Sequence, residues 1–68
     1  MDPAATERIA RILAKAEYTF SDKEWARTWM TRPHPELGDQ TPEDVARTEF
    51  GARRVERILG AIFYGLPV

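Results

Sequence analysis

The chain has 68 residues, no cysteine, ten basic and eleven acidic side chains, and a formal net charge of −1. These figures exclude disulfides, thiolate metal sites and any global electrostatic pull towards nucleic acid or an anionic membrane. No apolar run approaches the ~18 residues of a membrane span, and the opening M-D-P-A-A-T-E lacks the basic-then-apolar order of a signal peptide, so a cytoplasmic protein is expected.

A hydrophobic content of 43%, with two Trp, two Tyr and three Phe, belongs to a globular chain rather than a disordered one. A domain of this length holds a net stability of only ~3–5 kcal/mol, so burial against a partner adds a meaningful margin. Eight of the ten basic residues are Arg, whose planar fork suits protein interfaces better than Lys does.

Asp2 as N-cap and Pro3 at the first helical position predict the start of helix 1, which runs to residue 20. Ile9, Ile12, Leu13, Ala16 and Phe20 form its buried stripe, and Arg8, Arg11 and Lys15 lie on a solvated face. Ser21 and Glu24 read as a capping box that opens helix 2 (21–32), with Phe20 and Trp25 as the apolar staple across it. Trp25, Ala26, Trp29 and Met30 cover one face of that helix, and Pro33 ends it.

Residues 33–40 form a loop stiffened by two prolines, with Gly38 at a turn and Leu37 returning to the core. Thr41-Pro42-Glu43-Asp44 is the clearest helix start in the chain: an N-cap Thr, Pro at the first position and acids facing the dipole. The short helix 3 (41–49) points Val45 and Ala46 inward. Phe50 is expected to anchor a corner at which Gly51 lets the chain bend. Helix 4 (51–64) then carries Val55, Ile58, Leu59, Ile62 and Phe63 on one apolar face. Gly65 caps it in the left-handed conformation, and 65–68 is a tail in which Pro67 bars further helix. With no strand-like alternation and no repeat, the fold class is all-α: one small bundle of four helices, the third short.

Catalytic material is scarce. One Ser, one His and no Cys leave nothing for a nucleophilic triad. Ser21 is explained by its cap, and His34 has no second ligand at metal spacing. The four glycines are too scattered for a phosphate loop. No enzyme activity, cofactor or metal is therefore expected.

Gly60 is out of place in a helix interior, where it costs about 1 kcal/mol relative to Ala. Close approach of another helix of the same domain is the ordinary explanation; close approach of a partner is the functional one. Trp25 and Trp29, four residues apart, make one aromatic ridge. At least one is expected in the core, and an exposed edge of the other would be an interface anchor. Arg53, Arg54 and Arg57 lie off the apolar stripe of helix 4. A short helix, a glycine turn and an Arg-bearing helix imitate a helix-turn-helix, but helix 4 is too apolar for a recognition helix and lacks base-reading Asn, Gln or Ser at its start.

Three segments, A-E-Y-T-F-S-D-K-E-W-A-R-T-W-M, R-P-H-P-E-L-G-D-Q-T-P-E-D-V and T-E-F-G-A-R-R-V-E-R-I-L-G-A-I-F-Y-G, follow one another in the order of a known family. Over about Ala16 to Leu66 the chain resembles the toxin-binding domain of MbcA/ParS/Xre-type antitoxins, chiefly through T-P, G-A-R-R-V and Y-G in combination. The resemblance implies a cognate toxin of the RES fold, which consumes NAD or uses it to ADP-ribosylate a target, and neutralisation by covering that toxin's active-site entrance. Carried over by position, the partner-binding residues are Arg53, Arg54, Arg57, Gly60, Tyr64, Gly65 and Leu66, with Trp25 and Trp29 as secondary interface candidates. Asp39 stands where the family has a second Gly, Met30 where it has Leu, and His34 where Asn is common. Many members carry an N-terminal helix-turn-helix domain. None is expected in this chain, which has about seven residues before its first apolar stripe, so operator binding is not carried over. A naturally short antitoxin and a piece of a longer one both fit. The alternative function is a small DNA-binding, regulatory or dimerisation domain, and some self-association is expected alongside toxin binding.

Overall fold

The stripe of Ile9, Ile12, Leu13, Ala16 and Phe20 forms the inner side of an 18-residue helix, α1 (Pro3–Phe20). In the computed structural model, which describes residues 3–65, α1 is followed by α2 (Lys23–Met30), one turn of 3-10 helix at Pro35–Leu37, α3 (Pro42–Val45) and α4 (Glu49–Tyr64). The fold is all-α with a short third helix. Among the described residues there is no strand, only an isolated antiparallel bridge between His34 and Gln40. The cap expected at Asp2 and the tail residues Leu66, Pro67 and Val68 lie outside the described residues.

Ile12, Ala16, Ala26, Met30, Leu37, Val45, Ala46, Ala52, Val55 and Leu59 form one core, with Ile9, Leu13, Phe20, Trp29 and Ile58 packed around it. Leu37 returns to this core from the loop as its sequence context predicts. Each buried Ile, Leu or Val contributes about 1.5–3 kcal/mol of transfer free energy, and every helix supplies at least one core residue.

The start of α2 differs from the capping box expected at Ser21. Asp22 is the N-cap, its carboxylate accepting the Trp25 N–H at 3.0 Å. Ser21 instead takes a left-handed backbone conformation, φ +54°, where the chain leaves α1. The anion at Asp22 caps as well as a hydroxyl and also faces the helix dipole, so moving the start by one residue costs nothing. Phe20 and Trp25 still meet, edge to face at 6.2 Å. The helix stops at Met30, before Arg32 and Pro33.

Between Leu37 and Gln40 both central residues have positive φ, +64° at Gly38 and +64° at Asp39, and the Gln40 N–H donates to the Leu37 carbonyl at 3.2 Å. This is the backbone that favours Gly at either position and tolerates Asp better than most. It accommodates Asp39 at a place where the sequence resemblance sets a second Gly. His34 fastens the loop: its Nε2–H donates to the Trp29 carbonyl at 2.9 Å, and its own carbonyl accepts the N–H groups of Leu37 and Asp39.

Thr41 caps α3 as predicted, accepting the Asp44 N–H at 3.1 Å. The corner after α3 is not made by Phe50 and Gly51. Thr48 is a second N-cap, accepting the Gly51 N–H at 3.0 Å, and α4 begins at Glu49. Phe50 therefore sits in the first turn of α4 and points outward, 76% exposed. Gly51 is helical and buried. A Cβ there would overlap the Val45 carbonyl oxygen and come within 2.8 Å of its carbon, so α3 crosses α4 at this glycine.

Gly60 is the reverse case. Among the described residues no neighbouring atom lies within 4 Å of where its Cβ would stand, so the expectation that another helix of the domain approaches it is wrong. Replacing Gly60 by Ala is expected to stabilise the fold by about 0.5–1 kcal/mol, a rise in melting temperature of roughly 2–8 °C for a domain this small. Thermal melting followed by circular dichroism checks it; a fall would mean that the space is occupied.

α1 and α4 run side by side in the same direction, as their contacts show in order. Arg8 pairs with Glu49 at 3.3 Å, Arg11 with Glu56 at 3.5 Å, Lys15 with Glu56 at 3.1 Å, and the Tyr18 ring stacks on Phe63 at 5.3 Å. Arg8 also donates to the Arg47 carbonyl at 3.0 Å, tying α1 to the turn before α4. The face read as merely solvated is thus an ionic ladder. Each exposed rung contributes at most about 1 kcal/mol, but together they fix the register of α4 on α1.

Candidate functional site

With Val55, Leu59 and Ala52 turned into the core, the opposite side of α4 forms a continuous outward strip. Phe50, Arg57 and Tyr64 recur at seven-residue intervals, which return to nearly the same face with about 20° of drift per interval. Arg53 and Gly60 form the neighbouring column. Phe50, Arg53, Arg54 and Arg57 line one hollow. Five of the residues expected to bind a partner, Arg53, Arg54, Arg57, Gly60 and Tyr64, are therefore brought together on one face. Gly65 caps the helix at φ +69°, its N–H directed to the Ala61 and Ile62 carbonyls. Leu66 lies outside the described residues.

The guanidinium groups are lightly held. Arg53 reaches Glu49 only at 3.9 Å, and Arg54 donates to the Glu36 carbonyl at 3.4 Å. Among the described residues Arg57 has no hydrogen-bond or ion-pair partner. Glu49 and Glu56, the nearest acids on α4, face the cations of α1.

Beyond Leu59 the helix has no buried residue. Ile62, Phe63 and Tyr64 are exposed, Tyr64 by 73%; among the described residues the Tyr18 stack and an edge contact between Phe63 and Tyr64 at 5.1 Å are the ring contacts they make. The last turn of α4 is thus an exposed apolar end beyond the core.

Trp25 and Trp29 belong elsewhere. Trp25 is 54% exposed and Trp29 packs against the core. Both contact Phe20, and Trp29 also contacts His34. Among the described residues no ring contact joins this chain of rings to Tyr18, Phe63 and Tyr64.

Two surface residues were not expected from the sequence: Phe50, whose outward position follows from the helix start at Glu49, and Tyr18, which α1 places beside Phe63. Thr48 followed by Glu49, an N-cap and a first-turn acid, is the signal that would have found the first. Among the described residues no group of three or more His, Asp or Glu could hold a metal ion, and no helix is long and apolar enough to cross a membrane.

The fold is a small four-helix domain with an arginine-lined, aromatic-ended strip on α4, and comparison with known proteins gives its family. The family described as the antitoxin Xre/MbcA/ParS C-terminal toxin-binding domain matches residues 15–65, and the chain belongs to it. It is 35% identical over 68 residues to a protein named Antitoxin Xre from Yersinia enterocolitica, covering 94% of this chain and 46% of that protein. It is 37% identical over 65 residues to one of the same name from Photorhabdus laumondii, covering 90% and 44%. The chain thus spans about half the length of the curated relatives it matches. No solved structure matches it.

Proposed function

We propose that this chain is the toxin-binding part of an antitoxin and that it acts by occlusion, with α4 and the residues after it covering the active-site entrance of a RES-type toxin that consumes NAD or uses it to ADP-ribosylate a target. The observation that carries the reading is the apolar last turn of α4, which the fold leaves largely uncovered although burial there would stabilise a domain this small. Family membership and the names of its relatives supply the class of partner; the strip supplies the surface. Arg53, Arg54 and Arg57 contact the rim of the entrance, the backbone at Gly60 admits close approach, and Tyr64, Gly65 and Leu66 form the plug. The chain contributes binding, and the reaction belongs to the toxin.

Deleting Tyr64–Val68 tests this. None of the described residues it removes is buried, and Phe63 keeps its stack on Tyr18, so the melting temperature is expected to change by only a few degrees, an exposed-surface effect of about 0.5 kcal/mol. Inhibition of NAD consumption by a RES-type toxin, taken from the neighbouring reading frame where one is encoded there, is expected to disappear. Full inhibition by the truncated chain overturns the plug.

A further inference from the structure

The outward strip of α4 divides into two halves of different chemistry. Its first two turns hold Phe50, Arg53, Arg54 and Arg57 around one hollow, and after Arg57 the chain has no charged residue at all. The positive half is only partly neutralised from within the fold: Arg53 reaches Glu49 at 3.9 Å, and Glu49 and Glu56 border a hollow with Arg53 and Arg57. Glu49 and Glu56 are engaged by Arg8, Arg11 and Lys15, Glu36 meets Arg54 through its backbone carbonyl, and Arg57 has no partner among the described residues. Phe50 stands amid these cations with 76% of its surface exposed, so whatever covers them must also offer an apolar recess. The phosphate surface of duplex DNA offers none, and the chain's net charge of −1 gives no wider attraction to it.

We infer that the toxin surface meeting the first half of α4 is acidic and surrounds a recess that receives Phe50, whereas the surface meeting the last turn is apolar. This rests on the antitoxin reading and names the chemistry of its partner. Exposed charge governs encounter more than residence, and buried aromatic anchors govern residence. The arginine half of the strip therefore sets the association rate and its dependence on salt. Phe50 and Tyr64, one at each end, set the dissociation rate.

The test is surface plasmon resonance of the chain against a RES-type toxin, taken from the neighbouring reading frame where one is encoded there, from 50 to 500 mM NaCl. Wild type, Arg54→Glu/Arg57→Glu, Arg57→Glu, Phe50→Ala and Tyr64→Ala are compared after circular dichroism has confirmed their helicity. Arg57→Glu keeps the experiment decisive if the double variant loses the Arg54–Glu36 contact and unfolds. Wild-type association is expected to fall about tenfold or more across the salt range as the charges are screened. Charge reversal is expected to slow association by about tenfold at low salt and to flatten that dependence. Phe50→Ala and Tyr64→Ala are expected to leave association unchanged and to speed dissociation by at least about tenfold. Salt-independent association, or charge-reversed variants that bind as fast as wild type, overturns the acidic surface while leaving the antitoxin reading intact. Unchanged dissociation of Phe50→Ala overturns the recess. A complex with duplex DNA at low salt that charge reversal abolishes reassigns the strip to nucleic acid. No binding of the toxin at any salt overturns both inferences.

Discussion

Substitution of Gly51 by Ala is expected to remove a substantial part of the stability of this fold. On helix propensity alone the change favours the helix by about 1 kcal/mol, so the sign of the effect decides between two accounts of this glycine. If it were a flexible corner, Ala would be neutral or stabilising. In the structure, however, an added Cβ overlaps the Val45 carbonyl oxygen, with the carbonyl carbon at 2.8 Å and Val45 Cγ1 at 3.0 Å. A side chain can turn aside, but a backbone carbonyl of α3 moves only with α3. Relief requires separating α3 from α4, which opens the contacts of Val45 and Ala46 with the core and strains the Thr48 cap at the Gly51 N–H. Overpacking costs of about 1–3 kcal/mol and loss of a cap worth about 1 kcal/mol outweigh the propensity gain. A net loss of about 1–3 kcal/mol lowers the melting temperature by roughly 4–24 °C, in a domain whose whole margin is ~3–5 kcal/mol. Urea and thermal denaturation of Gly51→Ala measure this directly. A melting temperature at or above that of wild type would show that the two helices do not meet there.

The two helical glycines show where sequence reasoning carries and where it stops. Both stand in segments of strong helical pattern, and both therefore ask for an explanation. The pattern does not say which one faces a neighbour, because that depends on where α3 crosses α4, a property of packing rather than of either helix. Gly51, read as a bend, lies inside α4 at the crossing with α3, and Gly60, read as a close approach, lies in the open. The displaced helix starts have a more local cause. Ser21 and Asp22 are both good caps, and only the conformation at the end of α1 selects the second. Thr48 is a good cap as well, but a glycine three residues further on imitates a break and hides it.

The candidate surface was legible to the extent that it follows from helical period. Arg53, Arg54, Arg57 and Tyr64 fall off the apolar stripe whichever residue starts the helix, so their spacing alone puts them on a shared face. Phe50 needed the start at Glu49, and Tyr18 needed the parallel alignment of α1 and α4, which the charges of Arg8, Arg11, Lys15, Glu49 and Glu56 encode only once the helices are paired. The same alignment ties function to fold. The ladder holds α4 in register, and the last turn runs on past the point where α1 can bury it.

Substitution of Gly60 by Trp is expected to separate binding from folding at a single position. Among the described residues nothing lies within 4 Å of the Cβ position, so the side chain leaves the backbone without a clash, and replacing Gly gains a few tenths of a kcal/mol of helix propensity. The melting temperature is therefore expected to stay level or to rise slightly. Binding should respond in the opposite sense. Gly60 lies on the strip between Arg57 and Tyr64, and a toxin surface that closes over α4 meets the backbone there. An indole at that point holds the two surfaces apart and weakens the contacts on either side of it together. Loss of an aromatic anchor and an arginine contact, each worth about 1–2 kcal/mol or more, amounts to roughly a hundredfold or greater loss of affinity. Gly60→Ala adds only a methyl group and is expected to fall between wild type and Gly60→Trp in affinity while exceeding both in stability. Titration calorimetry with the toxin, inhibition of its NAD consumption and thermal melting of all three chains give the comparison. A Gly60→Trp chain that melts like wild type and still inhibits fully would place the interface away from α4, and the exposed Trp25 at the α1–α2 corner would become the anchor to test.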